Sequence, residues 1–331
     1  MPTAPIRFPF SAAPQGRAFR RAFTMMETLV LIGIFIILLS IFIPYLSSLR
    51  ESSRRAACAE HLYEIRNALQ NYARDNGSDF PRVVYDPAHS GYTAFTGPDA
   101  DDPFAKNSAV KPNDITAPLW LLLRKGWVVD SRVFICPSSD DMRDLITDKN
   151  GHVVKIMQRS NFRSPNNLSY SYACPYSSAP GFRLNDTKPA EFALMADKNP
   201  GASAALFSSD ASPDNLAKAN SPNHNRVGQN VLFADGTVVF SSTPYCGVGR
   251  AANPPGDNIY TARAAKPTTQ AAELPPGVIG VVGTDVCPVQ NDDSYLVPTA
   301  QDGPSNDAAI EKRTAEPTTT QPTTTGPTSS F

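Results

Sequence analysis

Three sets of residues have the types and spacing to do chemistry. His224 precedes Asp235-Gly236 with ten residues between them, in the phrase HNRVGQNVLFADGTVVF. An imidazole beside a carboxylate is the start of an acid–base pair, but no serine or cysteine nucleophile stands at a matching spacing. The same phrase reads as a β-hairpin in which Asp235 and Gly236 supply the positive φ values of a tight turn. The acidic stretch PDADDPF places Asp99, Asp101 and Asp102 close enough to offer hard oxygen ligands to calcium. It lacks an Asp-x-Asp-x-Asp-Gly loop, and such stretches are ordinarily just solvated. Cysteines stand at 58, 136, 174, 246 and 287 without a Cys-x-x-Cys pair, which argues against a zinc ribbon. No Ser/His/Asp set, metal cluster or phosphate loop can be assembled, so the sequence reads as a non-enzyme without a cofactor. A net charge of -1 and a pI near 6.4 leave no electrostatic footprint for nucleic acid.

The elements that must position these residues begin with residues 28–49, TLVLIGIFIILLSIFIPYLSSL, which carry no charged side chain. At about 1.5 Å per residue such a helix spans roughly 33 Å, enough to cross a hydrocarbon core of about 30 Å. A buried core helix would show a polar residue every third or fourth position, and this run shows none. A secretory signal has a shorter apolar stretch of about 7–15 residues followed by a small-x-small cut site. Here LRESSRRAAC follows instead. Arg20-Arg21 fits a twin-arginine signal, but those are less hydrophobic. Arg7, Arg17, Arg20 and Arg21 precede the run with no acid among them, which favours a cytoplasmic N-terminus, while Arg50, Arg54 and Arg55 oppose it.

Taken whole, RRAFTMMETLVLIGIFIILLSIFIPY resembles the prepilin N-terminal signature of type IV pilins and type II secretion pseudopilins: a basic leader, a small residue, Phe-Thr, two apolar residues, a glutamate, then an unbroken apolar helix. The resemblance implies cleavage by a prepilin peptidase between Ala22 and Phe23, with methylation of the new Phe23 amine. Ala22 stands where the family prefers glycine. The cut lies before the apolar run, so the run stays as a permanent anchor, and this decides the orientation that charge leaves open. Glu27, fifth after the cut, matches the family's acid, and Pro44 falls where many pilins carry a helix-kinking proline. A carboxylate at the start of a membrane helix is costly unless paired. In the family its partner is the amine of a neighbouring subunit's first residue, which sets axial register.

Past the anchor, Leu62, Ile65, Leu69 and Tyr72 form an apolar stripe on a polar helix that stops near Asn76-Gly77, with Pro81 beyond. The segments ESSRRAACAEHLYEIRNALQNYARDNGSDFP, LWLLLRKGWVVDSRVFICPSSDD, HNRVGQNVLFADGTVVF, GDNIYTA and DDSYLVP resemble a planctomycete-type subgroup of these proteins that carries a C-terminal His/Asp-Gly phrase. The subgroup has nine residues between the two, against ten here. Residues 115–125 read as a short buried helix, and RVFIC, SYSYAC and EFALMAD as strands. With an exported head, disulfides are permitted. Cys136 and Cys174 each end a strand before a proline and make the preferred pair, Cys246 with Cys287 the second, with Cys58 left over; an all-reduced set is the alternative.

The expected fold class is α+β, a long N-terminal helix with a membrane-spanning first half laid on a small antiparallel sheet. The expected parts are a cleaved leader at 1–22, an assembly helix at 23–49 and a helical stem at 50–76. A globular head follows at 77–250, an irregular extension at 251–297, and a disordered Pro/Thr-rich tail at 298–331, where few apolar side chains remain to offset the ordering entropy. The resemblance implies a single-pass protein of the inner membrane with its head exported, whose partners are the prepilin peptidase, other pilin subunits and an inner-membrane assembly platform. The rival reading is a membrane-tethered binding module that never polymerises. Mass analysis of the native N-terminus is expected to find a methylated Phe23; a start at Met1 or beyond Ser47 would remove the basis of the pilin reading.

Overall fold

A helix whose side chains are apolar on every side needs a medium other than water, and α1 begins as such a helix. It runs Met25–Asp75. The computed structural model describes residues 24–89, 91–97, 110–148, 150–177, 179–249, 256–263 and 279–301, and the chain divides into two units between Arg50 and Glu51. In the first unit the large aliphatic and aromatic side chains from Leu29 to Ile43 are all 38–66% exposed. The Ser40 hydroxyl donates to the Ile37 carbonyl at 2.7 Å and Ser48 to Tyr45 at 2.9 Å, so these polar groups are satisfied inside the helix. This helix is long and apolar enough to span a membrane. Pro44 lies within α1. The leader with Ala22, and Phe23 just after the expected cut, lie outside the described residues, as do Asp99, Asp101 and Asp102.

The second unit opens with the other half of α1, where the apolar stripe turns inward. Leu62, Ile65, Leu69 and Tyr72 are buried as their spacing requires, joined by Cys58, Ala68 and Ala73. The helix stops where Gly77 and Ser78 take left-handed φ of 63° and 71°, and the Ser78 amide returns to the Ala73 carbonyl at 2.9 Å. A five-stranded antiparallel sheet follows, built from β1 (Tyr170–Ala173), β2 (Ala193–Asp197), β3 (Gln229–Phe233), β4 (Val238–Ser241) and β5 (Leu296–Val297). Its strand order is β4-β3-β2-β1-β5, so the head is α+β. β1, β2 and β3 are buried along their whole length, which suits their runs of aromatic and aliphatic residues.

Two short helices complete the head. α2 (Ala117–Arg124) is buried from Ala117 to Leu123 and carries Trp120, which meets Phe162 edge-on at 5.2 Å. The Trp120 indole donates to the Arg159 carbonyl at 2.8 Å, and the Arg159 guanidinium, stacked over that indole, grips Asp144 with two bonds of 2.6 Å. α3 (Pro213–Ala219) lies on the way to β3.

Three expectations are corrected. RVFIC is not a strand. Ser131–Phe134 forms a 3-10 turn because the Asp130 carboxylate accepts from the Arg132 amide, and only at Ile135 does the chain extend. The stretch read as irregular beyond residue 250 contributes to the core. Ile259, Tyr260, Tyr295, Leu296 and Val297 are buried, and β5 pairs with β1 through Tyr172↔Val297 and Ala173↔Leu296. The head therefore continues past Pro298, whose carbonyl accepts from the Ser171 hydroxyl at 2.6 Å. Residues 302–331 of the tail lie outside the described residues.

The hairpin between β3 and β4 forms where expected, by a different turn. Gly236 alone takes positive φ, at 85°, while Asp235 accepts from the Thr237 amide at 2.8 Å and hydroxyl at 2.7 Å. The Gly236 amide donates to the Phe233 carbonyl and the Phe233 amide to that of Thr237, the pattern of a three-residue loop ending in a left-handed glycine. Gly236→Val is expected to lower the unfolding free energy by about 1–3 kcal/mol, since a β-branched residue is poorly suited to that backbone. Asp235→Asn, which keeps the acceptor, should unfold within about 0.5 kcal/mol of wild type; denaturant titration of both variants checks this.

Candidate functional site

The start of α1 holds the acid on which the sequence argument turns. Thr24 precedes the helix. Its hydroxyl accepts from the Glu27 amide at 3.2 Å, and the Glu27 carboxylate accepts from the Thr24 amide at 3.0 Å and hydroxyl at 3.2 Å. This reciprocal pair is a capping box, satisfying donors that a helix start otherwise leaves open. Glu27 is therefore held inside its own chain, and its negative charge lies at the positive end of the helix dipole. The sequence carries this signal as Thr-Met-Met-Glu, a Thr-x-x-Glu spacing that the argument from charge alone passed over.

A second cluster lies within the second unit, buried in the head. His224 sits in a tight turn, Asn223–Arg226, just before β3, and its ring is fully buried. Nδ1 lies 2.6 Å from a carboxylate oxygen of Glu51 on α1, and Nε2 lies 3.2 Å from Asp197 Oδ2 at the end of β2. Nε2 also has Asn230 Nδ2 at 3.3 Å and Cys136 Sγ at 3.4 Å. The remaining valences of the two acids are filled. Ser138 donates its hydroxyl to Glu51 at 2.6 Å, while the Asn230 amide and the Asn223 side chain donate to Asp197 at 2.7 Å and 3.1 Å. Phe240 meets the imidazole edge-on at 5.9 Å, and the Arg55 guanidinium lies 4.3 Å over the Phe240 ring.

These contacts decide the charge on the cluster. Burial pushes the His224 pKa down, but the hydrogen bond and charge of Asp197, and then those of Glu51, outweigh it and leave it raised. Burial pushes Glu51 up, and the Ser138 hydroxyl, His224 and Arg55 together bring it below the usual carboxylate range. The imidazole thus lies between two acids, and its contacts with them favour its protonated form. It ties three elements together: the stem half of α1, β2 and the turn into β3.

The backbone there is strained to suit. His224, Asn225 and Arg226 take φ of 53°, 54° and 60°, three successive left-handed residues without a glycine. Such a turn costs roughly 1–2 kcal/mol per residue and persists only where the surroundings impose it.

The disulfide also differs from expectation. Cys136 pairs not with Cys174 but with Cys58, the cysteine that the sequence reading left over, with Cα atoms 5.3 Å apart. The reason is the inward face of α1: Cys58 lies one turn before Leu62 and is fully buried. Cys174 is not bonded to Cys136, nor Cys246 to Cys287; instead Cys174 shares a hydrogen bond with Cys287, and the Cys246 thiol lies beside the Pro244 carbonyl. Burial and that contact push the Cys174 thiol well up, and the same hydrogen bond draws Cys287 down.

Of the residues singled out in the sequence, the structure brings together His224 with Cys136 and Cys174 with Cys287. Asp235 and Gly236 are occupied in the hairpin turn. Sequence reasoning missed Glu51, Cys58 and Asp197 as partners. The signal for Asp197 was present, since an acid ending a wholly apolar strand must find a partner. For Glu51 it was the seven-residue spacing to Cys58, which puts both on one helical face. Chemically, the cluster can hold a proton between two acids, but with the imidazole sealed from solvent it acts as a tie. No family model, curated protein or solved structure matches the chain.

Glu51→Ala is expected to destabilise the head by about 1–3 kcal/mol, because it leaves a buried imidazole nitrogen without its partner. Thermal unfolding followed by near-ultraviolet circular dichroism checks it; an unchanged midpoint would mean that the contact is incidental.

Proposed function

We propose that the chain is a structural subunit of a type IV pilus-like or type II secretion-like filament, anchored by α1 in the cytoplasmic membrane with its head exported. The observation that supports this most is the first half of α1: an uncharged helix with apolar side chains exposed all round, opening on a single acid. In lipid, such a helix gains nothing hydrophobic by pairing with another, so packing and the rare polar contact direct its association. Glu27 is the polar contact at the right place. Its proposed partner is the amine of a neighbouring subunit's Phe23, created by cleavage after Ala22. In a low-dielectric setting that pair is worth far more than in water, and it allows only one axial register. Prepilin peptidase, sibling subunits and an assembly platform are the partners this reading requires.

The capping box makes the proposal separable from helix formation. Glu27→Gln keeps a residue that can close the box with Thr24, yet removes the charge that the neighbour's amine would meet. Thr24→Ala does the reverse: it removes the cap, worth about 1 kcal/mol, and keeps the charge. Glu27→Gln should insert and fold as wild type but be several-fold depleted from sheared filaments when co-expressed with wild type, while Thr24→Ala should still be incorporated. Quantifying each form in the filament fraction by mass spectrometry tests this. Equal recovery of Glu27→Gln and wild type would replace polymerisation by the alternative, a tethered head that binds at the cell surface.

A further inference from the structure

Four side chains in the buried cluster have the chemistry of a closed zinc site. One ligand atom each from Cys58, Cys136, Asp197 and His224 lie within 4.8 Å of one another, and all four residues are buried. Zinc bonds of about 2.0–2.3 Å place tetrahedral neighbours roughly 3.3–3.8 Å apart. His224 Nε2 is already 3.2 Å from Asp197 Oδ2 and 3.4 Å from Cys136 Sγ. The surrounding shell is also that of a ligand set. Glu51 holds His224 Nδ1 at 2.6 Å, the carboxylate–histidine contact that leaves Nε2 to face a metal. The Ser138 amide donates to Cys136 Sγ at 3.4 Å, as suits a thiolate, and Asn223 holds Asp197 Oδ1 so that Oδ2 faces inward. Asn230, which also approaches Nε2, has the Arg55 carbonyl as a second acceptor at 3.4 Å to which its amide can turn.

We propose that, once the Cys58–Cys136 disulfide is reduced, these two cysteines with His224 and Asp197 bind one zinc-class divalent ion. The head then has two alternative closures of the same cluster, a disulfide or a metal. The balance is simple. A phosphine reductant and one water convert the disulfide to two thiols, the phosphine leaving as its oxide. The incoming ion displaces both thiol protons, and any proton on Nε2, to solvent. Two thiolates, an imidazole and a carboxylate suit zinc or cobalt better than calcium or magnesium. The proposal does not depend on polymerisation.

The test uses the full chain in detergent, reduced with tris(2-carboxyethyl)phosphine, desalted without oxygen and titrated with Co(II). The expected result is one Co(II) per chain, with thiolate-to-cobalt charge-transfer absorption and the intense visible bands of a tetrahedral ion, displaced by Zn(II). The oxidised chain should show neither band. Cys58→Ser and Cys136→Ser should abolish the charge-transfer signal or halve it, whereas Cys174→Ser with Cys287→Ser should leave it unchanged. Asp197→Asn should weaken binding at least tenfold, and Glu51→Gln about 10–100-fold through loss of the outer contact. If reduction alone unfolds the head, recovery of its circular dichroism on adding Co(II), with the same bands, supports the site. A reduced chain that takes up no Co(II), or that loses the signal only when Cys174 and Cys287 are replaced, overturns it.

Discussion

A histidine ring held in the dry interior of the head needs a partner for each of its nitrogens where it stands, and much of the architecture follows from how this is done. His224 meets acids from two different elements, Glu51 of α1 and Asp197 of β2, at 2.6 Å and 3.2 Å. Neither acid belongs to the segment that carries the histidine, so the tie forms only when helix, sheet and turn are all in place. Removing any one member would leave the others desolvated without compensation, which is why such clusters act as all-or-none conditions on the fold. The three left-handed residues at the turn are tolerated because this contact, together with Asn223 reaching across to Asp197 and the Ser169 carbonyl, fixes their place. The disulfide from Cys58 to Cys136 lies against the same ring and joins the same helix to the loop after α2.

The first half of α1 answers to a different constraint. The hydroxyls of Ser40 and Ser48 bond back to their own helix, and its large side chains from Leu29 to Ile43 are hydrocarbon on all faces. That is the form a single segment must take to lie in lipid, where open backbone groups are not tolerated. One 51-residue helix thus carries two patterns. An apolar run without period comes first, and a stripe at spacings of three and four comes after it.

Both patterns are written locally, and so they were legible in the sequence. So were the Asp235-Gly236 hairpin, β1 and β2, because alternation, aromatic content and turn residues all lie within a few positions of one another. The cluster was not legible, because its partners are far apart: Glu51 and His224 are separated by 173 residues. Sequence proximity pointed His224 towards Asp235, whose carboxylate is spent on Thr237 in its own turn. Cys58 was set aside as a stem residue, although its helical position turns it into the core. β5 was read as part of an irregular extension since two residues between polar stretches carry no period at all. Its strand character comes entirely from β1 beside it.

That late strand has a consequence for how the protein is made. β1 is synthesised more than a hundred residues before β5, and until Leu296 and Val297 arrive its outer edge presents unpaired amides and carbonyls. An open edge of this kind is a template for another chain's strand, sister chains at the same stage included. The contacts that close the sheet are also among the most distant in sequence, hence among the slowest to form. A nascent head of this design is therefore most vulnerable to cross-pairing in the interval before its final strand emerges, and a chain broken off ahead of residue 296 would remain in that exposed state.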